Sequence, residues 1–304
     1  MHRFAIAVLL LLTLTSARAA TDLTGIVAGA DGKAIPGAHV YVYTAHPRTG
    51  VSATCPSCYR DCGKHQAVSG NGAFRLPALD STLLFDVLAV ASGYESRFVQ
   101  KIDPSAGPIM IALQKRSPAD ADRVITGTVL DPNGKPVIGA SVEPHGYHIR
   151  NSVGWGNLPG VEKLSVTDAD GRFALSIPDP AATLDVLVTA RSFGPQIERM
   201  LAPGDVRAIR LEEGATITGR VIRDGKPESG AEVIVLQSPG PSANYLGRVA
   251  IGTNEQGVFV LPNVAPNQMC VIQIDNDAAR HPVKVGGSGT IVDAGTLDMK
   301  GSPK

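Results

Sequence analysis

Charge, aromatic rings and long apolar runs are all scarce in this chain. Asp, Glu, Lys and Arg make up 18% of the 304 residues, Phe, Tyr and Trp 5%, and there is one tryptophan. The 28 basic and 28 acidic side chains cancel. A balanced surface argues against nucleic acid as a partner, which needs a basic face, and against a polybasic membrane patch. Beyond the first twenty residues no stretch approaches the roughly 18 apolar residues of a membrane-spanning helix. Catalytic signatures are missing too. None of the seven histidines precedes Glu at the His-x-x-Glu spacing of zinc carboxypeptidases. There is no His-Glu-x-x-His, no Gly-x-Ser-x-Gly and no glycine-rich phosphate loop between a strand and a helix. The pair Asp168 and Asp170 in TDADG reads as a turn, because a calcium loop needs more oxygen ligands and a closing Glu. These absences point to a protein without its own catalytic centre.

What is present begins with MHRFAIAVLLLLTLTSARAA. Arg3, an apolar run over residues 4–14 and the small residues Ala17 and Ala19 read as a secretory signal peptide over residues 1–19, cleaved after Ala19. No cysteine follows the run, which disfavours a lipid anchor. The expected localisation is secreted or periplasmic, with a mature chain that does not span the membrane.

The remainder is repetitive. LTGIVAGADGKAIPGAHVYVY (23–43), ITGTVLDPNGKPVIGASVEP (125–144) and ITGRVIRDGKPESGAEVIVL (217–236) share Gly-x-Val, a turn with Gly-Lys, and Gly-Ala-x-Val. Each is followed, after a segment of variable length, by a polar turn ending in Gly-x-Phe, at Phe74, Phe173 and Phe259. An alternating apolar stretch and a short closing stretch complete each unit. Period-two alternation places Val27, Val40 and Val42 on one face, and the glycines punctuate tight turns. With 33 glycines and 22 prolines among Val- and Leu-rich runs, the pattern predicts short strands and many turns. The fold class expected is all-β: three tandem small antiparallel Greek-key β-sandwiches over residues 22–114, 123–213 and 214–300.

The Gly-x-Val…Gly-Ala-x-Val…Thr-Asp-x-x-Gly-x-Phe pattern resembles the carboxypeptidase regulatory-like, or transthyretin-like, β-sandwich repeat, three times over. The resemblance implies a compact sandwich of prealbumin-like or starch-binding-like type that sits beside enzymes or in strings on exported proteins. It implies no activity. The transthyretin-like hydrolases end in Tyr-Arg-Gly-Ser, whereas this chain ends LDMKGSPK, so that activity is not carried over.

The three variable segments occupy the same slot and are expected to emerge at the same end of their sandwiches as contact loops. They hold much of the scarce aromatic content. Tyr59 lies in the first, at residues 44–68. His145, Tyr147, His148 and Trp155 lie in the second, and Tyr245 in the third. Trp155, between two glycines, reads either as an exposed platform that stacks on a sugar ring or as a lid on its own sandwich. The first segment carries TCPSCYRDCGKH, with Cys55, Cys58, Cys62 and His65. Three chemistries fit this spacing outside the cytosol. One is a local disulfide with a spare thiol. Another is a zinc knuckle with three thiolates and one imidazole, to which His46 offers an alternative ligand. The last is thiol exchange at Cys55 and Cys58. Cys270, in the apolar stretch MCVIQI, reads as a core residue. The function expected is an exported binding or scaffold protein of the cell envelope, with a polysaccharide or an envelope protein as partner. The rivals are a metal- or thiol-handling protein centred on residues 55–65, and a plain spacer or accessory subunit for a partner enzyme.

Overall fold

The computed structural model describes residues 20–51, 64–91, 93–115, 121–156, 160–162, 164–168, 170–238, 244–275 and 279–299. The signal-peptide reading of residues 1–19 and the assignments to Cys55, Cys58, Tyr59 and Cys62 lie outside the described residues.

Apart from short 3-10 turns, such as that at Ala121–Arg123, the regular structure among the described residues is all strand. The first sandwich holds β1 (Ala20–Gly29), β2 (His39–Pro47), β3 (His65–Ala67), β4 (Ala73–Asp80), β5 (Leu83–Val90), β6 (Arg97–Ile102) and β7 (Ile109–Leu113). The second holds β8 (Val124–Leu130), β9 (Ser141–Ile149), β10 (Ser152–Trp155), β11 (Ser165–Val166), β12 (Arg172–Ser176), β13 (Ala182–Thr189), β14 (Gln196–Leu201) and β15 (Val206–Arg210). The third holds β16 (Ala215–Arg223), β17 (Lys226–Pro227), β18 (Glu232–Gln237), β19 (Gly247–Gly252), β20 (Val258–Val264), β21 (Met269–Ile274), β22 (His281–Lys284) and β23 (Ile291–Met299). No helix among the described residues is long and apolar enough to cross a membrane.

The same two sheets recur three times. One has the order β4-β1-β7, β12-β8-β15 and β20-β16-β23; the other has β3-β2-β5-β6, β10-β9-β13-β14 and β19-β18-β21-β22. The residues predicted to face inward do so: Val27, Val40 and Val42 are at most 2% exposed. Each sandwich has its own core, built around Phe74 and Phe85, around Phe173 and Leu175, and around Phe259 and Leu261. Burying each such side chain contributes about 1.5–3 kcal/mol. No sheet and no core cluster among the described residues mixes strands from two sandwiches.

One expectation needs correction. The sandwiches are not wholly antiparallel, because the first and last strands of each run parallel: β1 with β7, β8 with β15 and β16 with β23. The last strand arrives from the opposite sheet by a crossover, so no hairpin dictates its direction.

The repeated motifs have a common physical cause. Gly25 lies directly opposite Phe74, Gly127 opposite Phe173 and Gly219 opposite Phe259. In each case the phenyl ring lies across the glycine, so that an added β-carbon would stand 2.6–2.7 Å from a ring carbon. Behind Gly127 the carbonyl of Arg207 on β15 closes to 2.9 Å of the same point. The Gly of Gly-x-Val and the Phe of Gly-x-Phe are therefore one contact written in two places. The Thr of Thr-Asp and Thr-Asn is a second such contact. Thr167 Oγ accepts the Ala140 N–H at 2.8 Å and donates to the Val137 carbonyl at 2.6 Å. Thr253 does the same for Ala231 and Glu228, at 3.0 and 2.6 Å. In the first sandwich Val68 holds the position, and only its backbone N–H reaches back, to Ala38.

Substituting Gly127→Ala overpacks the Phe173 ring against β15 and is expected to cost about 1–3 kcal/mol. Urea unfolding read out on the second sandwich should show its midpoint falling; an unchanged midpoint would contradict this contact.

Candidate binding faces

The sheet containing β2 and β5, and its counterpart with β9 and β13, carry a feature that apolar periodicity did not reveal. A carboxylate interrupts the central strand: Asp86 on β5 and Asp185 on β13, with side chains only 11% and 1% exposed. The register shifts on both sides of each, between β2 and β5, β5 and β6, β9 and β13, and β13 and β14. Extra residues at these bulges need new partners, and the carboxylate supplies them. Asp86 accepts the N–H of Lys101, whose φ is 54°, at 2.8 Å, and the Nε2–H of His46 at 2.9 Å. Asp185 accepts the N–H of Met200, also at φ 54°, at 3.0 Å, and Arg199 at 3.2 Å, with His148 Nε2 3.3 Å away. In the third sandwich Cys270 and Val271 stand in this stretch and β18–β21 pair without a shift. The signal in the sequence was the Asp shared by LLFDVLAV and ATLDVLVT.

The bulge in β9 falls at His145, since Pro144 and Gly146 pair with the consecutive residues Val186 and Asp185. A bulge re-aims the side chain at the extra position. His145 turns beside the indole of Trp155, with ring centroids 6.2 Å apart. Trp155 is at the end of β10 opposite Gly146, and its ring covers that glycine, where a β-carbon would stand 2.7 Å from the indole. It remains 42% exposed. Tyr147 takes the opposite face of the hairpin, over Gly154 and against the sandwich core. The segment read as a contact loop is thus in part a β-hairpin, and it separates its aromatics. Trp155 and His145 form one outward patch, whereas Tyr147 belongs inside. His148, like His46, lies against a bulge carboxylate.

A second patch faces the cleft between the first and second sandwiches. His39 and Tyr41 on β2 and His65 on β3 line a cleft of about 910 Å³, opposite Thr126, Thr128 and Val206 of the second sandwich. Tyr41 and His65 stack with centroids 5.3 Å apart, and His39 is 6.2 Å from His65. His39 Nδ1 is buried with no hydrogen-bond partner among the described residues. Burial, and then the charge of His65, hold its pKa below the ordinary value; burial alone pushes Tyr41 up. Tyr43, the extra residue at the β2 bulge, donates to Glu143 of the second sandwich at 3.3 Å. The sequence pointed to His65 but not to His39 or Tyr41, which appeared there as ordinary strand residues.

The remaining assignments scatter. Tyr245 is half-buried. Asp168 spends its carboxylate on the N–H groups of Asp170 and Arg172, at 3.0 and 2.8 Å, as a turn requires. Cys270 is fully buried, and desolvation pushes its thiol up to about 11. No cluster of three or more His, Cys, Asp or Glu suited to a metal occurs among the described residues.

Because folding lowers the His39 pKa, the unfolded chain binds that proton more readily. The stability linked to His39 is present above the unfolded value of about 6.5 and declines as pH falls through it. An NMR titration should place the His39 midpoint below about 6.5. His65→Gln should raise it without restoring the ordinary value, since burial persists. A midpoint at or above the ordinary value would contradict this packing.

No protein-family model matches the chain, and no curated protein does. Among solved structures it is similar to the Bacillus anthracis TIE protein, at 11% identity over 92% of this chain and 51% of that one, with a TM-score of 0.25. It is similar to a streptococcal ancillary pilin at 9% identity over 90% of this chain and 98% of that one, with a TM-score of 0.28. Two B repeat units of the collagen binding protein of Staphylococcus aureus match at 14% identity over 90% and 74% of the respective chains, with a TM-score of 0.22. The chain spans about half the length of the first of these. The β-sandwich fold stands on the sheets and cores themselves, and the carboxypeptidase regulatory-like resemblance on the sequence motifs.

Proposed function

We propose that this chain is an exported, non-catalytic binding or scaffold protein of the cell envelope, three sandwiches in series, with carbohydrate as the ligand class of its second sandwich. The observation that carries this reading is the outward pair Trp155 and His145. A large ring propped on a glycine, beside an imidazole re-aimed by a bulge, is a rigid stacking platform with a polar flank. The C–H face of a sugar ring stacks on such an indole, and its hydroxyls reach the imidazole. Deep carboxylates such as Asp185 are consumed by backbone N–H groups and cations, which leaves them a structural role and supports the non-catalytic reading.

A second reading has a specific observation behind it. His65, three residues after Cys62, stands beside His39, whose buried Nδ1 lacks a partner among the described residues. That supports a zinc site formed by Cys55, Cys58, Cys62 and His65, with His39 as a further imidazole in reach. Neutral imidazole is the form that binds metal, and burial favours it at His39.

Polysaccharide pull-down with the mature protein should show binding that weakens about tenfold or more in Trp155→Ala. Absence of binding to every polymer tested, or binding indifferent to the substitution, would remove the platform reading. For the second reading, elemental analysis after periplasmic expression should find one equivalent of zinc, lost in Cys58→Ser. Two oxidised cysteines and no metal would rule it out.

A further inference from the structure

The second and third sandwiches are joined by the four residues between β15 and β16. The joint is tight. Gly194 N–H donates to the Glu212 carbonyl and Gly214 N–H to the Ser192 carbonyl, both at 3.1 Å. A β-carbon on Gly214 would stand 2.6 Å from the Asn263 Cα, and one on Gly194 2.9 Å from the Ala265 Cα. Side chains reinforce the contact. Ser288 Oγ donates to Glu212 Oε2 at 3.0 Å. Arg199 spans the joint, held by buried Asp185 at 3.2 Å on one side and by Asn244 Oδ1 at 2.7 Å on the other. The backbones of the two sandwiches thus approach closely, and a space is left beside them.

That space is a cleft of about 360 Å³, at the lower end of the roughly 300–1,000 Å³ that ligand pockets occupy. Gln196, Arg199 and Glu212 reach it from the second sandwich, and Asn244, Asn267 and Gln268 from the third. Gln268 is fixed by Ser238, whose hydroxyl donates to Oε1 at 3.1 Å, so the amide N–H donors are oriented and available to a ligand. Arg199 and Glu212 balance in charge, unlike a site for phosphate. Asn244 and Gln268, whose oxygens are taken by Arg199 and Ser238, turn amide N–H donors to the cleft, and Gln196 and Asn267 line it with a donor and an acceptor each, the complement of neighbouring hydroxyls on a sugar. Leu246 and Pro266 add apolar wall for its C–H face. An apolar ligand would strip water from these amides and give nothing back.

We propose that the joint cleft binds a neutral saccharide of one or two rings. This site is separate from the Trp155 platform and does not depend on it. The test titrates the mature three-sandwich protein with glucose, maltose, cellobiose and N,N′-diacetylchitobiose, followed by calorimetry and by the side-chain amide NMR signals of Asn267 and Gln268. At least one sugar should shift those signals. Gln268→Ala and Asn267→Ala should each weaken about tenfold the binding that those amide signals report. Gln268→Glu, which keeps the side-chain shape, should also weaken binding with the thermal midpoint retained, separating ligand contact from folding. The proposal is overturned if none of the four sugars moves the Asn267 and Gln268 amides at millimolar concentration, or if both alanine variants bind as the parent does. Shifts confined to the Trp155 indole would likewise overturn it and leave the platform reading standing.

Discussion

The contact between a glycine on the first strand and a phenylalanine on its neighbour organises every sandwich in this chain. Gly25, Gly127 and Gly219 each sit beneath the ring of Phe74, Phe173 or Phe259. A backbone carbonyl of the parallel closing strand approaches the same glycines. One missing side chain lets three strands and an aromatic ring converge. Because the ring is then buried, the contact also fixes register: a slip by one residue would expose the phenylalanine and place a β-carbon in its path. The parallel first–last pair follows from the same convergence, since it brings the closing strand back to the strand that opened the unit.

On that frame the second sheet varies, and its variation governs which side chains face outward. A buried carboxylate between two bulges supports the extra residues Tyr43 and Lys101 in the first sandwich, and His145 and Met200 in the second. The unpaired backbone this creates is satisfied at Asp86 and Asp185. What the bulges deliver is direction: Tyr43 towards Glu143 of the next sandwich, and His145 towards Trp155. The third sandwich, with no such carboxylate, keeps a plain ladder and a buried Cys270. Its contribution is made instead at the joint, where amides on its connecting segments meet Arg199 and Glu212.

The expected sites were legible unevenly, for reasons that differ residue by residue. Trp155 was visible because it is the lone tryptophan between glycines, and one of those neighbours, Gly154, is the residue that Tyr147 covers. Its true support, Gly146, lies nine residues earlier on the paired strand. Tyr147 and His145 looked equivalent in the sequence. The bulge, which adds one residue to the count, is what sends them to opposite faces of the hairpin. His46 looked like a spare ligand and His148 like a loop residue; cross-strand neighbours made them partners of Asp86 and Asp185. His39 gave no signal, because its buried nitrogen is a fact about the strand and sandwich facing it.

The sequence by itself determined the strand-rich character, the threefold repetition and the inward faces. Those depend on alternation, glycine placement and turn chemistry, which are local and recur with the chain. The tertiary structure alone decided the direction of the closing strand, the partners of the buried carboxylates, the face on which each ring emerges and the cleft at the joint. Each of these depends on atoms brought together from distant positions, and a one-residue bulge or a single close backbone approach changes them without altering the pattern along the chain.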